Sequence, residues 1–418
     1  MLAYEQGLIG QQNIGRYTIA QAMDAGDDTL MMRAARLEGI DRMRVRDVAE
    51  PTPGPGEVAL RVEACGICGT DRHILRGEYP SALPVTLGHE FTGTVVAASA
   101  GVRLPIGTRV AVDPNISCGV CRECRRGDVA LCPRRVALGV DLDGGLAEYA
   151  LVPEKQAYPL PPQMPIEWGA LCEPLACCLR GLDLARIEPG MGVAVLGGGV
   201  VGQLMARLAR LAGATSIVLV TRQGSRRRLA EELGATATLD PRAGDVVARV
   251  AGDRGGLMPG GADVVLECAG TIDTFEQSLM LARRGGTVLV FGVAPQTALA
   301  RISPFDVFAR ELRILGSYLN PHTHGRAVEL AASGRLALAP LITHRLALDD
   351  VPAALAAPPA QDEVNVDSHN KGLNNGNNSN GEGDGVQELY WRRVGRCRVR
   401  QDVRGDRPCH PGGGRHGP

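Results

Sequence analysis

From Gly192 onward the sequence alternates between short apolar runs and segments with helical periodicity. VAVLGGG ends in glycines, VVGQLMARLARLAGA carries apolar residues at helical spacing, and SIVLV starts the next apolar run. The same order continues through RRRLAEELGA, ADVVLECAG and GGTVLVFG. Strands that alternate with helices form a parallel, doubly wound sheet, because each crossover helix covers a face of the sheet. We therefore predict an α/β fold with such a sheet over residues 189–322.

Residues 58–160 have a different pattern. EVALRVEAC, TGTVVAAS and TRVAVDP are short runs rich in β-branched residues, and glycine and proline interrupt them. This pattern predicts an irregular β domain. A chain of 418 residues with 44% hydrophobic content is long enough to bury two cores, so we expect two domains.

The composition excludes several classes of protein. The formal net charge is −1, so no overall positive field favours nucleic acid or an anionic membrane as a partner. No signal peptide is visible, and no uncharged apolar run reaches the roughly 18 residues of a membrane span. The 12 cysteines belong to a long chain, in which metal binding is more common than a disulfide framework. We expect a cytoplasmic protein.

A glycine motif lies at the first turn of the alternating region. Gly197, Gly199 and Gly202 form G-x-G-x-x-G between a strand and a helix. The first glycine permits the tight turn, the second lets the backbone approach a pyrophosphate, and the third allows close packing of helix on sheet. Glycine-rich turns are common, but the strand–turn–helix context favours dinucleotide binding over an ordinary turn.

The residues after the second strand bear on the choice of cofactor. An acidic residue normally holds the ribose 2′-hydroxyl there, whereas this chain has Thr221 and Arg222, with Arg227 a few residues further on. An arginine attracts a 2′-phosphate, so we predict a preference for NADP over NAD. The alternative is a solvated, arginine-rich start of a helix, which is a stronger alternative for residues 226–228 than for Arg222.

Four cysteines stand close together in CGVCRECRRGDVALC. They are Cys118, Cys121, Cys124 and Cys132. Four thiolates at such spacing close a tetrahedral shell around one Zn²⁺ and leave no open position. The motif therefore predicts a structural zinc.

A second set of metal-binding residue types is scattered along the chain. CGICGTDRH contains Cys68, GHE contains His89, and CEPLACC contains Glu173. Three ligands of mixed type, with a fourth position left for water or substrate, are typical of a catalytic zinc. Spacing alone does not establish this site, since a lone cysteine is more often a small buried apolar residue.

In combination these motifs resemble those of the zinc-dependent medium-chain alcohol and polyol dehydrogenases, the group that includes sorbitol, arabinitol and threonine dehydrogenases. The similarity runs from about residue 32 to residue 366 and rests on C-G-T-D, G-H-E, the four cysteines, E-P-L and G-G-G-V-V-G. The resemblance implies a GroES-like catalytic domain beside a Rossmann domain. It also implies a small-molecule alcohol substrate, two zinc ions per chain, NADP or NAD, and a homodimer or homotetramer.

The resemblance also implies roles for individual residues. Cys68, His89 and Glu173 match ligands of the catalytic zinc, and Glu90 matches a residue that either ligates or swings in and out. Asp71 matches the carboxylate that orients the ligand histidine, and Thr70 and His73 match a proton relay. A glutamate in E-P-L, where the alcohol dehydrogenase branch has cysteine, indicates the polyol-like branch.

The composition changes again near residue 362, first to an Asn- and Gly-rich stretch and then to an Arg- and Gly-rich end. Neither stretch has a pattern that would bury a core. The predicted divisions are a disordered extension (1–31), a zinc-binding catalytic domain (32–188), a Rossmann domain (189–322), a return to the catalytic domain (323–361) and an aberrant or disordered tail (362–418).

Three alternatives remain open at this point. Within the enzyme class, the alternative is a threonine or 2,3-butanediol type dehydrogenase. The four cysteines and the Arg-rich end would also suit a zinc-containing nucleic-acid-binding protein, although the net charge of −1 argues against it. The abnormal C-terminal sequence would suit an inactive or non-catalytic zinc-binding protein.

Overall fold

The structure is a computed structural model that describes residues 30–359, 363 and 365–369. Most of the extension 1–31 and nearly all of the tail 362–418 lie outside these residues, so the predictions made for them stay predictions. No helix in the described part of the chain is both long enough and apolar enough to cross a bilayer.

The first domain is built from short strands. Its elements are β1 (Met31–Gly39), β2 (Arg42–Ala49), β3 (Glu57–Gly66), α1 (Gly69–Leu75), β4 (Val85–Thr86), β5 (Glu90–Ala98), β6 (Arg109–Val112), β7 (Asn115–Ile116), α2 (Arg122–Arg125), β8 (Val136–Ala137), β9 (Tyr149–Pro153), β10 (Ala157–Pro159), α3 (Glu167–Ala170) and α4 (Cys172–Ala185). Leu60, Phe91 and Leu146 are fully buried in its core. This is the irregular β domain that the sequence predicts.

The second domain alternates strands and helices. Its elements are β11 (Gly192–Leu196), α5 (Val200–Leu211), β12 (Ser216–Val220), α6 (Gly224–Glu232), β13 (Ala237–Leu239), α7 (Val246–Ala251), β14 (Ala262–Glu267), α8 (Ile272–Leu281), β15 (Ala282–Val290), α9 (Pro304–Arg310) and β16 (Arg313–Gly316). The six strands are parallel, in the order β13-β12-β11-β14-β15-β16. The order reverses at β11, as in a doubly wound sheet. The predicted fold class is confirmed.

The chain then returns to the first domain. The returning elements are α10 (His324–Ala332), β17 (Ile342–Ala347), α11 (Val351–Ala356) and β18 (Asn365–His369). Strand β18 runs antiparallel to β3 and parallel to β17, within the sheet β10-β6-β5-β3-β18-β17 on which β9 also pairs with β3. The catalytic-domain sheet therefore extends past the predicted boundary at residue 361. The polar sequence of β18 gives no apolar signal there, because backbone pairing with two neighbours is what defines the strand.

Helix α4 connects the two domains. The largest apolar core includes Leu175 and Leu179 of α4 together with Leu204 and Met205 of α5. A Cβ on Gly181 would lie 2.6 Å from the end of the Met205 side chain, so glycine allows the two helices to approach closely. Since Glu173 lies in the first turn of α4 and α5 follows the glycine motif, this packing fixes one predicted metal ligand relative to the predicted cofactor site.

Candidate active site and metal centres

Cys68 lies at the turn between β3 and α1, as the N-cap of α1. Its backbone N–H donates to Oδ2 of Asp71 at 2.9 Å, which is a reciprocal bond of the kind that fixes the start of a helix. The short C-G-T-D segment therefore holds the thiol and the Asp71 carboxylate in one rigid turn.

The other oxygen of Asp71 faces the second predicted ligand. Its Oδ1 lies 3.2 Å from Nδ1 of His89, just before β5, and Asp71 is completely buried. A carboxylate on Nδ1 orients the imidazole and leaves Nε2 for a metal. Ligand atoms of Cys68, His89 and Glu90 lie within 4.8 Å of one another. Three residues from two separate segments thus converge on one point.

The electrostatics of this group suit a bound cation. Burial raises the pKa of the Cys68 thiol to about 11, and burial, reinforced by the charge of nearby Glu173, raises the pKa of Glu90 to about 8. Burial lowers the pKa of His89, but Asp71 and Cys68 outweigh it and raise the pKa overall. The buried Oε2 of Glu90 has no hydrogen-bond partner among the described residues. A divalent ion would satisfy this oxygen and favour the deprotonated thiol, so the residues present fit zinc.

Glu173 lies near Cys68, His89 and Glu90, but its side chain has a different partner. It is buried in the first turn of α4, and its Oε1 accepts a hydrogen bond from Sγ of Cys177 at 3.4 Å. Among the described residues the group within 4.8 Å contains Glu90 and not Glu173. The structure thus brings together Cys68, His89 and Glu90 and leaves Glu173 beside them as a further carboxylate.

The two predicted relay residues lie along α1. Thr70 has its hydroxyl 3.7 Å from Sγ of Cys68. His73 is one turn further, with Nδ1 2.6 Å from Oε2 of Glu78 and 31% of its side chain exposed. Thr70 is therefore at the thiol and His73 is at the solvent, as the two ends of a proton path would be.

The four-cysteine set forms a separate group. Sulfurs of Cys118, Cys121, Cys124 and Cys132 lie within 4.8 Å of one another. The Sγ atoms of Cys118 and Cys124 are 3.9 Å apart, and the backbone N–H of Cys124 donates to Sγ of Cys121 at the start of α2. A bond from the Val120 N–H lowers the pKa of Cys118 to about 6. Four converging thiols match the donor set of a closed structural zinc.

The glycine motif has the conformation that its spacing predicts. Gly197 has φ 110°, and its N–H donates to the carbonyl of Val220 at 3.0 Å. A Cβ on Gly202 would collide with the carbonyl oxygen of Gly197, so only glycine fits there. Gly199 precedes α5 and has open space where its Cβ would be. A phosphate can therefore approach the helix N-terminus at this point.

The residues after β12 differ in how they are engaged. Thr221 is buried against Gly198, and Nη1 of Arg227 donates to the carbonyls of Thr221 and Arg222. Arg227 also pairs with Asp240 at 3.2 Å. The guanidinium of Arg222 is exposed and has no hydrogen-bond or ion-pair partner in the described part of the chain. Arg227 therefore supports the turn, while Arg222 is available to a ligand.

Sequence reasoning missed one residue that shapes the cofactor turn. Glu267 ends β14 and is buried, and its Oε1 accepts from the N–H groups of Ala269 and Gly270 and from the Thr274 hydroxyl. This loop is the backbone that a Cβ on Gly197 would meet. An acidic residue that directly follows the apolar run of β14 was the available signal.

Two family models match the chain. The alcohol dehydrogenase GroES-like domain matches residues 54–162, and the zinc-binding dehydrogenase model matches residues 200–333. The first range lies within the irregular β domain, and the second covers the parallel-sheet domain from α5 onward and extends through α10. The matched families therefore agree with the predicted combination of a GroES-like and a Rossmann domain.

Curated relatives and solved structures extend this likeness. D-arabinitol dehydrogenase 1 of Uromyces fabae is 36% identical over 72% of this chain and 86% of its own length. L-threonine 3-dehydrogenase of Pyrococcus horikoshii is 35% identical over 72% and 86%. A protein described as a zinc-binding dehydrogenase from Sinorhizobium meliloti 1021, solved bound to NADP, is 54% identical with a TM-score of 0.80, covering 81% of this chain and 99% of its own. The chain belongs to the zinc-dependent medium-chain alcohol and polyol dehydrogenase family.

Proposed function

We propose that the protein transfers a hydride between a secondary alcohol of a polyol or sugar alcohol and NADP or NAD. The observation that carries this proposal is the convergence of Cys68, His89 and Glu90 on one point, in a molecule whose core also fixes the glycine turn. The likeness to D-arabinitol dehydrogenase and the glutamate at position 173 support a polyol over a simple alcohol.

The protein's own residues divide the work at this site. Cys68, His89 and Glu90 would hold the zinc, with Glu173 as a further carboxylate that can replace Glu90. When bound, zinc supplies a Lewis acid that lowers the pKa of an alcohol oxygen. Asp71 keeps the His89 ring in orientation through its 3.2 Å contact. The Thr70 hydroxyl would relay the alcohol proton, accepting it while releasing its own hydroxyl proton towards His73, which is paired with Glu78 and exposed to solvent.

The choice of cofactor depends on Arg222 in this proposal. The exposed guanidinium of Arg222 follows β12. A carboxylate at this place in the chain would repel a 2′-phosphate. The NADP bound to the Sinorhizobium meliloti relative supports the same preference. We propose NADP as the preferred cofactor and the Cys118–Cys132 group as the second zinc site.

A substitution at Arg222 tests the cofactor preference. In the parent protein, kcat/KM should be higher with NADP⁺ than with NAD⁺. Arg222→Asp should lower kcat/KM for NADP⁺ by about 100-fold, since a charge-assisted pair of roughly 3 kcal/mol becomes a repulsion. The matched control is Arg228→Asp on the exposed face of α6, which should leave the ratio unchanged. A parent enzyme that strongly prefers NAD⁺ would contradict the assignment.

A substrate panel tests the reaction itself. Arabinitol, sorbitol, a sugar-alcohol phosphate, L-threonine and 2,3-butanediol are each measured with both cofactors. We expect the highest kcat/KM with a polyol. A threonine-type reaction is the second candidate, because a threonine dehydrogenase covers the chain at 35% identity. Absence of turnover with every compound in the zinc-loaded protein would instead favour the inactive, zinc-binding alternative.

We also propose that the protein is a cytoplasmic homodimer or homotetramer. Of the 5 phenylalanines in the chain, Phe305 and Phe308 on α9 are 73% and 78% exposed. They lie on the helix that directly precedes β16, an edge strand of the six-stranded sheet. A second copy could cover this apolar surface and pair with the open edge. Light scattering should give a dimer or tetramer for the parent and a lower mass for Phe305→Ser/Phe308→Ser.

A further inference from the structure

A pocket of about 220 Å³ lies beside the four-cysteine lobe, which contributes Ser117, Val129 and Ala130 to its lining. It is enclosed by the segment between β6 and β7, the turn before β10, the residues before β8 and the loop after β16. These segments belong to the catalytic domain and to the return of the chain from the Rossmann domain. At roughly 30 Å³ per water, the volume suits a small metabolite.

The charged groups of this pocket are arranged with cations at its mouth. Arg135 and Lys155 both line it, and Lys155 is exposed with no ion pair to the described residues. The guanidinium of Arg135 is held in place, because Nη1 donates to Oδ1 of Asn115 at 3.2 Å and Nη2 to the hydroxyl of Tyr318 at 3.3 Å. A preorganised guanidinium next to a free ammonium favours an anionic group.

The inner wall of the pocket offers groups for hydroxyls. Asp113 is the only carboxylate among the lining residues, and its Oδ1 already accepts from the Asn115 N–H and from Nδ2 of Asn320. Its second oxygen and the Ser117 hydroxyl have no partner among the described residues. A carboxylate oxygen beside a hydroxyl is suited to hydrogen-bond the hydroxyls of a sugar.

The loop that closes the pocket has unusual backbone conformations. Leu319 and His322 have φ of 57° and 62°, in the left-handed region that non-glycine residues seldom adopt. The loop is tied down on both sides. Nε2–H of His322 donates to the carbonyl of Gly127 at 2.9 Å, and the Thr323 hydroxyl donates to Ala176 of α4 at 2.7 Å. Strained residues held in this way mark functional loops more often than passive connections.

We propose that this pocket is a second small-molecule site, which binds a hydroxylated organic anion such as a sugar acid or a sugar phosphate. The anionic group lies between Arg135 and Lys155, and the hydroxyls meet Asp113 and Ser117. The ligand is either the far end of an anionic substrate or a separate metabolite. In both cases an anionic group and hydroxyls of the ligand would contact the pocket.

Calorimetric titration of the zinc- and NADP-loaded protein tests the site, since the cofactor's own phosphate positions are then filled. The probes are gluconate, sorbitol 6-phosphate, sorbitol and inorganic phosphate. The two sugar anions should bind, sorbitol should bind at least tenfold more weakly, and Lys155→Gln and Arg135→Gln should each weaken the sugar anions at least tenfold. The control Arg254→Gln, on an exposed loop of the Rossmann domain, should change nothing. Lys155→Gln keeps the test valid if Arg135→Gln does not fold.

Kinetics distinguish the two sources of the ligand. If a sugar anion is oxidised and Lys155→Gln raises its KM while kcat/KM for sorbitol is unchanged, the pocket holds the end of the substrate. If the anion binds without being oxidised, it is a separate metabolite. Equal binding of sorbitol and gluconate, equal binding of inorganic phosphate and the sugar anions, or unchanged affinity in Lys155→Gln would each overturn the proposal. Because the readout is binding, failure of every polyol as substrate would leave this result intact.

Discussion

The two predicted metal sites both contain cysteine thiols, but the surroundings of these thiols differ. Cys118, Cys121, Cys124 and Cys132 converge from one short stretch, and three of the four are only half-buried. Cys68 meets an imidazole and a carboxylate, His89 and Glu90, that are both buried, and its own pKa is raised by burial. The first group can close around a metal by itself. The second requires the whole domain to assemble it and leaves room for a substrate.

Two buried histidines show what the surroundings of a side chain decide. His89 faces the carboxylate of Asp71, which raises its pKa. The ring of His324 packs at a tilt against Tyr158, with centroids 4.7 Å apart and no carboxylate contact among the described residues, and burial alone lowers its pKa to about 3. Equal burial therefore gives opposite shifts, and only the histidine with a carboxylate partner is prepared to bind a metal.

The largest effect should follow from Cys68→Ser. Loss of a catalytic ligand removes several kcal/mol of charge stabilisation, so kcat/KM should fall by about 10³-fold or more. Circular dichroism and the unfolding midpoint should stay near the parent values, because the thiol carries no core packing. Wild-type turnover would mean that the buried group is not the reaction centre.

The opposite outcome is expected for Cys121→Ser. Opening the four-thiol shell should lower the free energy of unfolding by about 3 kcal/mol, since metal binding there stabilises the lobe directly. The kcat of the remaining folded enzyme should change little. Urea unfolding and turnover are measured on the same preparation, and a variant of unchanged stability would argue against a structural zinc.

A smaller effect is expected for Asp71→Asn. The amide keeps the size of the side chain but loses the charge that orients His89, so zinc affinity at this site or turnover should fall about 10- to 100-fold. Competition with a chelator measures the affinity. The control Asp143→Asn, at a surface ion pair with Arg36, should leave zinc affinity at the parent value.

The last prediction concerns the pH dependence of stability, at His324. Its folded pKa of about 3 lies below the unfolded value of 6.5, so the unfolded chain binds more protons between these values and stability falls as pH falls through this window. His324→Phe keeps the ring but removes the proton. The decrease in the free energy of unfolding with falling pH should become shallower in this variant, by at most about 1.4 kcal/mol per pH unit. Urea titrations at several pH values would measure this.

The contrast between a site formed by one short stretch and a site assembled by a whole domain explains which features could be predicted from the sequence. The glycine turn and the four cysteines are local, so their spacing alone predicts their geometry. Cys68, His89 and Glu90 are brought together by β3, α1 and β5. Residue types singled out Cys68 and His89 without establishing their site, and Glu90 was indicated only by the resemblance to a family. The pairing of Asn115 with Asn320 joins residues 205 positions apart, which no periodicity can indicate.

Packing and backbone pairing account for the remaining differences. Arg72 of α1 is buried and forms an ion pair with Glu363 at 3.0 Å, while also donating to the carbonyls at the end of α11. These contacts and the pairing of β18 bring polar residues after 361 into the catalytic domain. Composition predicted a tail there because it registers side-chain polarity and not the hydrogen bonds of the main chain.

Zinc content measured together with turnover is the most direct test of the claim that the two sites do different work. Parent, Cys68→Ser and Cys121→Ser proteins are dialysed against metal-free buffer and analysed for zinc per chain and for kcat per folded molecule. We predict two zinc ions for the parent and one for each variant, with turnover lost only in Cys68→Ser. A Cys68→Ser protein that keeps two zinc ions and full turnover would contradict the account.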